Sequence, residues 1–277
     1  MTCKERRVIY NRVFFGFAIA SVTIGVAFLL WILAIVCYKG FGALSLEVFT
    51  NSAAPAGYEG GGLKNALIGH LLLVGAASLA GIPIGLIAGT FISEYAAPRS
   101  ARFIRAAAEL MTSVPSILIG AFIYAVLVAP MGHFSGWAGS VALAIIMIPI
   151  VTSVTDSMLR LVSPMQREAA LALGARKYQS VTQIIWRGAR AGLVTGALLA
   201  IARISGETAP LLFTAFNNNF VSADMNAPMA SLSVTMFSYA TSPYEDWINL
   251  GWAAAFILLA FVFAINLTGK MGAKCRA

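Results

Sequence analysis

Six apolar runs, each long enough to cross a bilayer, follow one another through this chain, and no other feature limits its possible folds so severely. They lie at about residues 13–37, 65–93, 106–130, 136–159, 191–213 and 247–269. A helix rises about 1.5 Å per residue, so roughly 20 apolar residues cross the ~30 Å hydrocarbon core of a membrane. Backbone polar groups have no water there, which favours helices that satisfy them internally. The expected fold is an all-α polytopic membrane protein: six transmembrane helices in one domain over 13–269, flanked by segments 1–12 and 270–277. Composition agrees, with 59% hydrophobic and only 11% charged residues, where soluble domains carry about 25% charge.

Charge placement orients the spans. Segment 1–12, the connection Glu94–Arg105, the loop Arg160–Arg190 and segment 270–277 hold every Lys and Arg except Lys39, Lys64 and Arg203. Basic residues collect on the cytoplasmic side, so both termini are expected to face the cytoplasm. Thr214–Asp246 carries Asp224, Glu245 and Asp246 but no basic residue, and is expected to form a long external polar loop. The first run exceeds a signal-peptide core, and Ala34-Ile35-Val36 lacks a small-residue cleavage pattern, so this span is expected to be retained. The short turn Met131–Ser135 predicts that the third and fourth spans form an antiparallel hairpin.

Other chemistries find little support. The net charge of +8 is not gathered into a basic patch interleaved with aromatics, which argues against nucleic acid. Glu59-Gly60-Gly61-Gly62 is glycine-rich but lacks the Gly-Lys-Ser/Thr of a P-loop, and the lone Gly269-Lys270 is followed by Met271. Cys3, Cys37 and Cys275 show no metal or disulfide spacing. No paired catalytic carboxylates, Ser/His dyad or HExxH motif points to an enzyme. His70 reads as a hydrogen-bonded packing residue, and Glu109 and Asp156 as groups that snorkel or cap near span ends. Gly81, Gly85 and Gly89 form a stripe on which another helix can pack, with Pro83 expected to kink it.

The loop Arg160–Arg190 is built differently from the other connections. Ser163-Pro164-Met165-Gln166 predicts a helix start with a capping box, and REAALAL continues it with strong helix formers. Gly174 breaks it, and Ala175–Trp186 reads as a second helix leading into the fifth span. Such a helical knob can seat in a groove of a partner; the plainer reading is an amphipathic helix lying on the membrane. Glu168-Ala169-Ala170, three residues, Gly174, nine residues, then Ile184 resembles the EAA loop of ABC importer permeases. That resemblance implies a type I (MetI-like) permease core whose coupling helix, with Glu168, Ala169, Ala170 and Gly174, docks on an ATPase subunit. The family pattern closes Ile-x-Leu-Pro, whereas this chain has Ile184-Ile185-Trp186-Arg187.

Arg203 and Glu207 are the charges inside the fifth run. Counted from Ala191, Arg203 lies roughly 18 Å in, near the middle of a ~30 Å core, with Glu207 one turn further on the same face. An intramembrane Arg costs about 2.5–3.5 kcal/mol on insertion scales, so the pair should face protein or a water-filled path. In one reading the two charges neutralise each other as a packing bridge. In the other, Arg203 offers a planar donor fork to a passing oxyanion and Glu207 accepts from the anion's own OH. Phosphate near neutral pH keeps such an OH and sulfate does not. Ser205, Gly206 and Thr208 add small and polar groups around the pair.

The stretch Ala202–Thr214 (ARISGETAPLLFT) resembles the permease subunits of bacterial phosphate-specific ABC importers, as do Val114-Pro115-Ser116-Ile117, Pro228–Leu232 and Ser242–Trp247. The resemblance implies a path for inorganic phosphate lined by Arg203, Glu207 and Thr208. It also implies a heterodimer with a second permease subunit, two cytoplasmic ATPase subunits holding ATP-Mg, an external phosphate-binding protein and residence in a bacterial inner membrane. The chain itself is expected to bind no cofactor or metal. The rival readings are a permease for another oxyanion (sulfate, molybdate, a phosphonate) and a stand-alone secondary transporter.

Overall fold

The computed structural model describes residues 3–274 apart from Ala56 and Glu59; Glu59, Cys275 and Arg276 therefore fall outside it. The described chain is helical, with no strand. Helix α1 spans Cys3–Gly42 and α2 Leu46–Thr50. Helix α3 spans Lys64–Tyr95, its last turn Phe91–Tyr95 widened to a π-helix. Then come α4 (Pro98–Ser113), α5 (Ser116–Met131) and α6 (Gly136–Arg160). A hairpin after α6 contributes α7 (Pro164–Ala172) and leads into α8 (Lys177–Ser205). Helices α9 (Ala209–Thr214), α10 (Leu232–Ala240) and α11 (Glu245–Lys274) complete the chain. Among the described residues, five helices are long and apolar enough to cross a membrane, six if the bent pair α4–α5 is one span. The all-α, multi-pass architecture expected from the apolar runs is therefore what the chain adopts.

Helices α3 and α6 are the centre. Apolar burial between helices gains little in lipid, so close packing of small residues has to hold them together. The glycine stripe does this: a Cβ at Gly81 would lie 2.9 Å from Met147 Sδ, one at Gly85 2.6 Å from Val151 Cβ, and one at Gly89 2.5 Å from Thr155 Cβ. The α3 helix runs through Pro83 without interruption. Ala200 and Ile204 of α8 complete the same buried cluster.

Three segments depart from the expected layout. The third apolar run, 106–130, is not one straight span, because α4 and α5 meet at 94° across Val114-Pro115. Pro115 lacks an N–H and pushes Val114 into extended backbone (φ −69°, ψ 128°), which ends α4. The hairpin of spans three and four is accordingly made by α5 alone, through Gly132 in the left-handed region (φ 74°) and Ser135, which accepts from the Ala138 amide at 3.1 Å. The stretch Thr214–Asp246 is not an open loop either. Met229, Ala230, Leu232 and Val234 are buried in it, and Ser231 caps α10 by accepting from the Val234 amide at 3.2 Å. The fifth run, 191–213, is broken: α8 starts fourteen residues earlier, at Lys177, and stops at Ser205.

Helix α1 stands apart. None of its most apolar window is buried. Its contacts gather at its C-terminal end, where Phe41 meets Phe256 edge-to-face at 6.2 Å and Lys39 Nζ lies 5.0 Å from the Trp252 ring centre. That cation–π contact engages Lys39, one of the three basic residues outside the four basic segments.

Candidate functional site

The break after α8 creates the site. Gly206 ends the helix, Glu207 donates its amide to the Ile204 carbonyl at 3.1 Å, and the short α9 starts afresh at Ala209 with Pro210 in its first turn. Arg203 thus stands in the last turn of its helix, and Glu207 lies beyond the helix, not one turn along it. The two residues still meet. Arg203 Nη1 donates to Glu207 Oε1, the carboxylate folding back across the break.

Their exposures are opposite. The Glu207 side chain is 6% exposed and that of Arg203 60% exposed. A buried carboxylate is tolerable only when paired, and Arg203 pairs it while using one of its five N–H donors. No other hydrogen bond engages its guanidinium among the described residues. Surrounding elements fix the break: Ser233 Oγ donates to the Glu207 carbonyl at 2.9 Å, and Ser205 Oγ to the Ile201 carbonyl at 2.7 Å. Helix α5 crosses α9 so closely that a Cβ on Gly120 would lie 2.6 Å from Pro210 Cα. Thr208 is half-buried beside the pair, and its carbonyl accepts from the Leu211 and Leu212 amides at 3.1 and 3.2 Å. The geometry therefore joins Arg203, Glu207 and Thr208 at one kink of the backbone.

His70 differs from its expected role. It is buried against Phe261, with ring centres 5.8 Å apart, and neither ring nitrogen finds a hydrogen-bond partner among the described residues. Asp156 does not snorkel. It is buried and accepts from Arg105 Nε at 2.7 Å, Arg105 Nη2 at 3.1 Å and Arg160 Nε at 3.1 Å, tying α4 to the end of α6.

The hairpin that carries Glu168, Ala169, Ala170 and Gly174 is a second candidate site. Helix α7 begins at Pro164, but Ser163 makes no side-chain cap, so the expected capping box is absent; the Gln166 amide donates to the Ser163 carbonyl at 3.1 Å instead. Gly174 adopts φ 82°, which only glycine takes without strain, and turns the chain into α8. Glu168 and Ala169 are exposed while Ala170 is buried. Sequence patterning did not single out the apolar tip, where Met165 is 76% and Leu173 90% exposed. Nor did it find Arg167, which reaches Glu94 at the end of α3 (Nη2–Oε1 2.9 Å, Nε–Oε2 3.3 Å) and the carbonyls of Leu159 and Val162, both at 2.6 Å.

Comparison with known proteins places this geometry. Residues 81–271 match the family described as "Binding-protein-dependent transport system inner membrane component". The "Phosphate transport system permease protein PstA" of Haemophilus influenzae is 49% identical over 96% of this chain and 94% of its own. The PstA of Pasteurella multocida is 46% identical over 96% and 95%, respectively. Among solved structures, one titled "Inward facing conformations of the MetNI methionine ABC transporter" aligns with a TM-score of 0.64 at 18% identity, covering 77% of this chain and 95% of that one. At that identity it speaks for the fold alone. The chain belongs to the binding-protein-dependent transport permeases, and within them to the PstA family.

Proposed function

We propose that this chain is one permease subunit of an ATP-driven importer that carries inorganic phosphate across a bacterial inner membrane. The observation that carries the reading is the pair at the α8–α9 break. A buried carboxylate holds an arginine that is 60% exposed and still has free donors, in a chain otherwise poor in charge. Arg203 supplies a donor fork to the oxyanion, and Glu207 accepts from a phosphate OH. Thr208 adds a hydroxyl at the same kink.

The partners follow from exposed surfaces. Helix α1 is unburied over its most apolar stretch, and the Arg203 side chain is 60% exposed, which fits a second permease subunit completing the path between the two chains. The exposed Met165 and Leu173 beside Glu168 and Ala169 form a knob suited to a groove on a cytoplasmic ATPase subunit, two per importer, where ATP-Mg would bind. An external phosphate-binding protein delivers the anion. The permease does no chemistry on phosphate; it offers alternating access.

Reconstitution with those partners tests the reading. Vesicles with ATP on the cytoplasmic side should accumulate phosphate and leave sulfate outside. Equal sulfate uptake would move the substrate to another oxyanion, and uptake by the chain alone under an ion gradient would make it a secondary transporter.

A further inference from the structure

We infer that the cytoplasmic end of α3, residues 90–95, is the receiver through which the coupling hairpin moves the transmembrane core, with Glu94 as its positioning residue. The inference rests on the reading of the hairpin as the ATPase-docking element and adds where its motion goes. Three contacts carry it. Arg167 of α7 pairs with Glu94, whose side chain is only 8% exposed. Lys177, just past Gly174, places its ammonium 4.8 Å from the ring centre of Tyr95. Trp186 Nε1, further along α8, donates to Thr90 Oγ1 at 3.1 Å. The hairpin is thus attached to one helix end on both sides of its turn.

The receiver and the hairpin match in local form. Phe91–Tyr95 and Ser180–Ile185 are both wound as π-helical turns, a local geometry that costs regular hydrogen bonding and often marks a working part of a helix. Arg167 spends its other donors on the Leu159 and Val162 carbonyls, so the same side chain also holds the end of α6. Helices α3 and α6 interlock through Gly81, Gly85 and Gly89 and behave as one body.

Two routes therefore leave the hairpin. The covalent route passes through the left-handed Gly174 into α8 and reaches Arg203 at its end. The latch route passes through Glu94 into the α3–α6 body. Rotating α8 alone would move one wall of the path against a stationary core. With the latch closed, both walls follow the ATPase. Glu94 pairs with Arg167 and accepts from Ser93 Oγ at 3.0 Å; it acts on the hairpin through Arg167.

The test uses the full importer reconstituted in vesicles and counts phosphate taken up per ATP hydrolysed. Glu94→Ala is expected to retain its ATPase subunits on purification and to hydrolyse ATP, while phosphate per ATP falls about fivefold or more. Glu94→Asp, which keeps the charge, should recover most of that ratio. If the alanine variant does not assemble, Arg167→Lys reads out the same quantity, because it keeps the charge but loses the two-pronged contact. A Glu94→Ala ratio equal to wild type overturns the inference. So does an equal fall in hydrolysis and uptake, or loss of the ATPase subunits with Glu94→Asp no better. Failure of the wild-type complex to take up phosphate would count against the importer reading and hence against both; failure of the latch alone shows only when wild type couples and Glu94→Ala does too.

Discussion

Replacing Gly85 by alanine tests how rigid the α3–α6 body is. The added Cβ would sit 2.6 Å from Val151 Cβ, 2.8 Å from its Cγ1 and 3.1 Å from the Ile148 carbonyl oxygen. Ordinary contact begins at 3.4 Å, so the helices must part locally by about 0.8 Å. Val151 Cβ is fixed to its backbone and cannot swing aside. Overpacking of this kind costs about 1–3 kcal/mol, against a gain of about 1 kcal/mol for Ala over Gly in a helix interior. The net expectation is a loss of about 0–2 kcal/mol. Shaving the facing side chain, Val151→Ala, alone should cost roughly 1 kcal/mol by leaving a small void. Combined with Gly85→Ala, it removes the Cγ1 overlap at 2.8 Å but keeps the Cβ one at 2.6 Å, so it should recover part of the loss and not all of it. A double-mutant cycle on detergent-solubilised protein, read by reversible unfolding, measures the coupling, expected at about 0.5–2 kcal/mol. Additive effects of the two substitutions would refute the claim that Gly85 and Val151 share one contact.

Further outcomes follow from the same contacts. Asp156→Asn removes the charge that holds Arg105 and Arg160; with Arg105 28% exposed, the loss should be about 2 kcal/mol, below the roughly 3–5 of a fully buried pair, and unfolding of the solubilised chain reads it. Gly174→Ala forces a side chain into φ 82° at a cost of about 1–2 kcal/mol, so hydrogen exchange over residues 164–179 should speed several-fold while the α3–α6 pair keeps its protection. Leu173→Glu alters a side chain that is 90% exposed, and should leave the melting of the chain unchanged while lowering the amount of ATPase subunit that co-purifies.

Much of the architecture was legible because lipid imposes long apolar runs and sorts charge by side. Those two signals located the multi-pass fold, the helical hairpin after α6 and the unusual Arg203 and Glu207. Hydropathy reports composition along a run but not its direction, so 106–130 and 191–213 read as straight spans. The steric signals for both breaks were present in Val114-Pro115 and Gly206…Pro210, and a run-length reading overrides them. The buried stretch around Met229–Val234 is too short to register as a span, and its serines are turned inward, Ser231 capping α10 and Ser233 donating to the Glu207 carbonyl. The Glu94–Arg167 pair joins residues 73 positions apart, and periodicity has no access to such a partner.

Arg203 carries the central claim, and phosphate uptake by an Arg203→Gln importer tests it most directly. The substitution removes the donor fork from a side chain that is 60% exposed and leaves the coupling hairpin untouched. Full retention of the ATPase subunits with phosphate uptake reduced about a hundredfold or more is the predicted result, on the scale of a lost electrostatic contact in a path. Uptake at the wild-type rate would mean that Arg203 only packs against Glu207, and that the anion crosses elsewhere.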